Sequence, residues 1–381
     1  MGSDAIYNQP VVLDNGSSVI KSGFSGQNKP QCFEYNLIGT PKYEKVMLTN
    51  AISNNDLTYI GNRAQKSRGL LRLRHPMNRG IVENWDDMET LWSHTFNDIL
   101  KINDFDEHPL LITEAPLNPE KNRDKMCEVF FEKFDFAAVY IANPSTLSLY
   151  ASGRTTGCVL DCGDGYCSSV PIYEGFALPS SIRRIDVGGR DVTEQLQFQI
   201  RKYTGISLYS SSEHEIVKNV KEKACYVSTD FAHDEDMSNL NPEKIRCQFK
   251  LPDGKDLILD KARFRAPEIL FRPQIMGLEY DSVSDMCFES ISKVDLELRP
   301  KLFSSIILNG GSTMFRGFGD RLLKELQIRT GNKNLIKIIA PPERKYTSWI
   351  GGSILTGLST FKQLWMTKAE WQEDNNLRYR F

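Results

Sequence analysis

The stretch Val11-Val12-Leu13-Asp14-Asn15-Gly16-Ser17-Ser18-Val19-Ile20-Lys21 sets an acid, a glycine turn and a base between two β-branched runs. That pattern predicts a β-hairpin. A glycine-rich turn points successive backbone N–H groups inward, and such a nest holds phosphate oxygens. Asp14 can hold a hydrated metal ion, and Lys21 can set a cation against a phosphate. The arrangement returns in Gly157-Cys158-Val159-Leu160-Asp161-Cys162-Gly163-Asp164-Gly165-Tyr166. Two matching hairpins on one chain predict two halves that share an anion.

The elements that must carry these turns alternate between strand and helix. From Asn84 to Ile102 the residues Trp85, Met88, Leu91, Trp92, Phe96 and Leu100 recur at helical steps. Pro109-Leu110-Leu111-Ile112-Thr113 is a buried strand. Asn118 is placed to cap a helix with Pro119 in its first turn, running past Phe130 and Phe134 to about Asp135. Ala137 to Ala142 is the next strand, and Asn143-Pro144-Ser145 leads a helix through Leu147 and Tyr150. Residues 33 to 75 read as a small sub-module. Inside it, Thr40 to Thr58 is either a solvated loop or a mobile one whose Val46-Met47-Leu48 tip needs a partner.

The second half repeats the alternation. Gly188-Gly189-Arg190-Asp191 opens a helix, and Ser212-Glu213-His214-Glu215 reads as a capping box for the next. Phe231 to Lys244 reads as a surface loop, and Phe249 to Lys255 as a hairpin turn. Ile306-Ile307-Leu308-Asn309-Gly310-Gly311-Ser312 runs from strand into a glycine pair. That pair serves either a strand-to-helix turn or the close approach of something flat. A helix from about Phe318 to Leu326 follows, and a last one from about Ser348 to Trp365. No GxxxxGK[ST] run occurs, which excludes a P-loop. The expected class is α/β.

The 381 residues allow two domains with a substantial core. Hydrophobic residues make up 40% and charged residues 25%, the profile of a soluble globular protein. A net charge of −2 gives no argument for nucleic acid. No apolar run approaches a membrane span, and the first residues lack signal-peptide character. Gly2 invites a myristoylation reading that Ile6 opposes. The eight cysteines are spread along the chain, which fits reduced thiols. Cys158, Cys162 and Cys167 cluster, but without a CxxC pair or nearby histidine they read as small buried residues, not a zinc site.

The two Asp-Gly hairpins, the later glycine pair and the duplicated plan resemble the ATPase class shared by actin, the seventy-kilodalton heat-shock proteins and the sugar kinases. The resemblance narrows to the actin family from about Pro10 to Trp371. It is carried by Arg63-Ala64-Gln65-Lys66-Ser67-Arg68-Gly69, Leu111 to Pro119, Leu147 to Gly157, Val170 to Gly175, Pro341 to Tyr346 and Trp349 to Leu355. Gly317 to Leu323, Ser210 to Glu213, Asn143-Pro144 and the Cys158 to Cys167 run are similar to the centractin type of actin-related protein, in its budding-yeast forms. Against conventional actin, only Asp4 remains of an acidic N-terminus, and Arg79 stands in place of a histidine.

The resemblance implies an actin-like ATPase fold, with duplicated βαβ domains, a central nucleotide cleft and four subdomains. These are residues 1–35, 76–151 and 347–381; 36–75; 152–187 and 278–346; and 188–277. It implies ATP or ADP with Mg²⁺ as cofactor. Asp14, Gly16, Ser17, Ser18 and Lys21 would form one phosphate loop, and Gly163, Asp164, Gly165 and Tyr166 the other. Asp14 and Asp161 would hold the metal through water. Gly189, Lys221 and Glu222 would touch the ribose, and Gly310, Gly311, Ser312, Met314, Phe315 and Lys345 the adenosine. Ser18 replaces a glycine of the family loop.

Two departures bear on catalysis. Pro144 and Ser168 stand where actin has water-positioning glutamine and histidine. No residue is therefore assigned as catalytic, and ATP is expected to be bound but hydrolysed slowly. For assembly, the resemblance implies a plug at Ala266 to Gly277 and an inserting loop at Thr40–Thr58, slightly longer than actin's. That loop would meet a cleft lined by Tyr150, Gly153, Ile354, Leu355 and Leu358. Implied partners are the chain itself in a filament, other dynactin subunits, and dynein with its adaptors, without nucleic acid or direct membrane insertion. The implied setting is cytoplasmic and cytoskeletal: microtubules, spindle pole or cell cortex, with roles in nuclear migration and spindle positioning. The rival readings are a kinase of the same class and a nuclear actin-related subunit of a chromatin remodeller.

Overall fold

A computed structural model describes residues 8–42, 58–331 and 335–373. The chain divides into two compact units, one of Met1–Thr155 with Lys345–Phe381 and one of Thr156–Arg344.

The first unit is built on a six-stranded sheet. β1 (Val11–Asn15) turns back into β2 (Val19–Phe24), which pairs antiparallel with β3 (Cys32–Tyr35). On its other side β1 runs parallel to β4 (Pro109–Thr113), and β4 parallel to β5 (Ala138–Ala142). The strand Met366–Thr367 closes the edge against β5. Every residue of β1 and β4 is buried, as central parallel strands covered on both faces require. Val11 and Leu13 join a core with Trp92, Phe96 and Phe130, while Val12 joins a second with Trp349, Phe361 and Trp365. The alternate residues of one strand thus tie two layers together.

α1 (Trp85–Ser93) starts where the Asn84 side chain accepts from the Asp87 N–H at 3.1 Å. It widens into a π-helical turn over His94–Leu100. The wider turn keeps Trp92, Phe96 and Leu100, four residues apart, on the buried face. The cap expected at Asn118 is not formed. The helix Glu120–Glu128 starts without a side-chain cap, and Asn118 donates to Glu114 at 3.1 Å. Glu114 also binds Arg123, and this carboxylate draws the amide away from the helix end.

α2 (Pro144–Ala151) is capped by Asn143, which accepts from the Ser145 N–H at 2.9 Å, with Pro144 in its first turn. It packs on the later helix Thr347–Thr356 so closely that a Cβ on Gly351 would stand 1.8 Å from the Leu147 carbonyl oxygen. Only glycine permits that approach. Trp349 closes the layer by donating to Val12 O at 2.9 Å. The expected single helix to Trp365 is broken. After Gly357 the chain extends at Leu358 and resumes as a 3-10 turn, Ser359–Leu364. Glycine weakens the helix there, and the break lets Phe361 and Trp365 reach Tyr140, with ring centroids at 4.8 and 6.5 Å. The sub-module is a three-stranded sheet of Ile38–Pro41, Tyr59–Ile60 and Leu71–Arg74 with the helix Gly61–Lys66. Most of the Thr40–Thr58 loop, and Gly2 with Ile6, lie outside the described residues.

The second unit repeats the plan. β6 (Gly157–Cys162) turns back into β7 (Cys167–Tyr173), which pairs antiparallel with β8 (Arg183–Ile185). β9 (Ile306–Asn309) lies parallel to β6, and Ile338–Ile339 parallel to β9. The duplicated α/β architecture is the class the sequence predicts. α3 (Gly189–Thr204), α4 (Ser211–Ala224), α5 (Val283–Ser292) and α6 (Phe318–Thr330) supply Val192, Leu196, Val220, Ile291 and Leu322 to its core.

The capping box of α4 lies earlier than expected. Ser210 is the cap, accepting from the Glu213 N–H at 3.3 Å, while Glu213 accepts from the Ser210 N–H at 2.9 Å. Ser210→Ala is expected to cost about 1 kcal/mol, read as a lower urea midpoint with an unchanged slope. The expected surface loop from Phe231 is a helix, Phe231–Leu240, capped by Asp230. Only Ser238 of it is buried, so it leaves no apolar period to read. The expected hairpin turn after Phe249 joins Cys247–Lys250 to Asp256–Leu259. Among the described residues, no helix is long and apolar enough to cross a membrane.

Candidate functional site

Each hairpin turn lies at the carboxyl ends of parallel strands, where open α/β sheets take ligands. In the first, Asp14 and Lys21 are cross-strand partners, and Lys21 Nζ lies 2.5 Å from Asp14 Oδ2. Thr113, at the end of β4, donates to Asp14 Oδ1 at 2.9 Å and accepts from the Asn15 N–H at 2.9 Å. The Gly16 N–H donates to Asp14 O, and Asn36 braces the turn by donating to Gly16 O at 3.0 Å and Ser18 O at 2.9 Å. Asp14 and Ser17 are buried. Lys21 keeps further donors beyond its bond to Asp14, so it can also meet an anion.

The second turn sits in a denser network. Gly163 N–H donates to Tyr166 O at 3.0 Å, and Gly163 O accepts from Ser312 Oγ at 2.7 Å and from the Gly189 N–H at 3.0 Å. The Arg190 N–H donates to Asp164 O at 2.9 Å. Lys221, buried on α4, donates to Gly189 O at 2.7 Å. Gly189 sits close against its neighbours: a Cβ would stand 2.8 Å from Ser312 Oγ and 3.3 Å from Lys221 Nζ, so these side chains would have to shift. Gly310 adopts φ +87°, and a Cβ there would meet Cys162 O at 2.3 Å. Its N–H donates to Arg344 O, and Arg344 in turn holds Thr313 at 3.1 Å. Six assigned residues, Gly163, Asp164, Gly189, Lys221, Gly310 and Ser312, therefore belong to one cluster. Glu222 is exposed beside Lys221, Met314 is exposed, and Phe315 packs on the core. Lys345 belongs to the first unit.

Charge favours an anion near this cluster. Burial pushes the Lys221 ammonium below its ordinary value, against the pull of Asp164. Its charged form is short of solvation, and a bound phosphate or carboxylate would supply it. Burial works to raise the Asp164 carboxyl, but Lys218, Lys221, Arg190 and His214 outweigh it and hold it below the usual range. A carboxylate with a lowered folded value adds stability above its unfolded value near ~3.9 and loses it as pH falls through the folded one. Asp164→Asn is expected to flatten the acid side of a stability–pH curve, measured by urea titration between about pH 2 and 5.

Asp161 and Ser168 occupy the positions of the second hairpin that Asp14 and Lys21 occupy in the first. A neutral hydroxyl thus faces the second carboxylate where an ammonium faces the first. Ser168 is fully buried, and its Oγ has no hydrogen-bond partner among the described residues. An orphaned buried hydroxyl fits an ordered water or ligand oxygen. Pro144 has no N–H to offer at the start of α2. Among the described residues no group of three or more His, Cys, Asp or Glu could hold a metal directly. A carboxylate at either strand end has the chemistry to meet a metal's water shell.

Thr113, Asn36, Lys218 and Arg344 were not singled out from sequence. Thr113 had a signal, a lone hydroxyl ending an apolar strand; the others act through long-range contacts without a local pattern.

A family model for actin matches residues 6–377, and the chain belongs to the actin family. Among curated relatives, it is 58% identical to Centractin of Saccharomyces cerevisiae, over 99% of this chain and 97% of that protein. It is 48% identical to an Actin-like protein of Neurospora crassa, over 98% of each. The similarity is therefore to the centractin type of actin-related protein.

Proposed function

We propose that the chain is a centractin-type filament subunit of dynactin, which binds ATP or ADP with Mg²⁺ and hydrolyses ATP slowly. The observation that carries the reading is 58% identity to Centractin over 99% of the chain. The two braced hairpins, each with an aspartate at a strand end, support the nucleotide part of it.

Bound Mg²⁺ supplies charge that offsets the phosphates. The N–H groups of Gly16 and Gly163 already serve Asp14 O and Tyr166 O, so the amides that follow them in each turn would donate to phosphate oxygens, and Lys21 would add a cation. Asp14 and Asp161 would hold the metal through its water. Gly189, Lys221 and Glu222 take the ribose, and Gly310 to Phe315 with Lys345 the adenosine. Ser168 can hold a water but cannot take its proton at neutral pH, and Pro144 offers no donor. The nucleotide then acts mainly as a structural ligand. The four subdomains keep the boundaries given above, with the plug at Ala266 to Gly277 used in assembly.

Head-to-tail contacts do not close, so partners must limit filament length. The proposed partners are the chain itself, other dynactin subunits, and dynein with its adaptors, at microtubules, spindle pole or cell cortex. Affinity purification of the full chain from native lysate is expected to recover dynactin and dynein subunits. Recovery of chromatin-remodeller subunits in their place would refute the assignment.

A further inference from the structure

Two cysteines stand at the root of the second hairpin turn, and the nucleotide reading leaves both unused. Cys162 ends β6, Cys167 begins β7, and they are direct cross-strand partners. The bond from Gly163 N–H to Tyr166 O, 3.0 Å, makes Gly163 and Tyr166 a hydrogen-bonded pair. Hydrogen-bonded and non-hydrogen-bonded pairs alternate along an antiparallel ladder, so Cys162 and Cys167 form a non-hydrogen-bonded pair. As direct cross-strand partners, they point their side chains to the same face. Such pairs bring Cα atoms to ~4.5 Å, at the short end of the ~4.4–6.8 Å range of disulfides.

Both residues are fully buried, and all eight cysteines are free thiols. The pair is therefore quiet while the hairpin is closed and reacts through local opening of the turn. Cys158 does not compete for it. It lies four residues along the same strand, roughly 13 Å away, and its sulfur lies 3.3 Å from Ser169 Oγ.

We propose that Cys162 and Cys167 are a redox-labile dithiol that closes to a disulfide across the root of the second phosphate turn and weakens its hold on phosphate-bearing ligands. A peroxide is the oxidant. One thiolate attacks it to give a sulfenic acid with loss of water or hydroxide, and the second thiol displaces water to form the S–S bond. In sum two thiols lose two hydrogens and the peroxide becomes two waters. A disulfide holds its Cβ atoms at ~3.8 Å, shorter than the ~4.5–5.5 Å of a cross-strand pair. Closure draws the two strands together immediately beside the amides of Gly163 to Gly165. The resulting strain keeps the bond easily reduced.

The effect on ligand rests on the proposed nucleotide function, and the experiment separates the two. The reduced full-length protein is treated with hydrogen peroxide, its remaining thiols are alkylated, and peptides are mapped by tandem mass spectrometry. Binding of Mg–ATP is measured on the same samples. The expected result is one intramolecular bridge between Cys162 and Cys167, reversed by dithiothreitol, with Mg–ATP binding weakened about tenfold. Cys167→Ser is expected to bind equally before and after peroxide. Recovery of both residues as free thiols after peroxide, or a bridge with unchanged Mg–ATP binding, overturns the proposal. Failure of the reduced protein to bind Mg–ATP counts against the nucleotide function, while the peptide map still reads the cysteine pair.

Discussion

Replacing Glu268 by alanine is expected to lower folding stability by about 3–5 kcal/mol, the range for breaking one side of a buried ion pair. Glu268 is fully buried in the Pro267–Leu270 turn. Its two oxygens take Arg321 Nη2 at 2.9 Å and Nη1 at 3.3 Å. Arg321, itself buried on α6, also donates to Ser228 O at 2.7 Å and meets Glu325 at 2.5 Å. Arg272 reaches Glu268 at 3.2 Å from the more exposed side. Burial raises the Glu268 carboxyl above its ordinary value, and the Arg321 guanidinium opposes that rise. Removal of the carboxylate leaves Arg321 buried with its charge only partly met. The double replacement Glu268→Leu with Arg321→Leu removes both charges and is expected to recover most of the loss. Urea unfolding of the single and double variants reads both values. A double variant no more stable than Glu268→Ala sinks the argument, because the loss then lies in packing.

The second large effect is on turnover. Pro144→Gln combined with Ser168→His is expected to raise the rate of phosphate release from bound ATP by ~10²-fold or more, the size of effect a positioned acid–base group supplies. Pro144 begins α2, where a glutamine fits the helix and adds a donor and an acceptor. Ser168 faces Asp161 with its hydroxyl unused, so an imidazole there adds a proton acceptor beside a carboxylate. A single-turnover assay on assembled protein decides the matter, with circular dichroism and Mg–ATP binding as controls for an intact fold. Unchanged phosphate release from a folded, ATP-bound variant removes these two positions as the basis of the proposed slow hydrolysis.

Short-range chemistry made much of the plan readable. Apolar runs ending in Asp and a glycine turn gave β1 with β2 and β6 with β7, because a tight turn fixes the pairing of its own strands. Caps were harder. Asn118 and Ser212 both sit in sequences able to cap a helix, yet Glu114 captures the first and Ser210 pre-empts the second. The Phe231–Leu240 helix is silent in the sequence because a helix that buries little carries no period. In the site, residues that act on their own neighbours were legible, as with Asp14 and Lys21. The bracing of Gly16 by Asn36 and of Gly310 by Arg344 depends on chain brought from far away, which no local pattern announces.

The close seat of Gly351 on Leu147 has a consequence for the order of synthesis. The first unit is discontinuous, and Trp349, Phe361, Trp365 and Met366 complete its two cores. The second unit is one uninterrupted stretch, Thr156–Arg344. As the chain leaves the ribosome, the second unit has all its residues before the first does. At ~5–20 residues per second, the sheet around β1 waits on the order of 10–40 s for the helix that covers Val12. During that wait an apolar sheet face is open to water, and the nascent chain is then most in need of a chaperone.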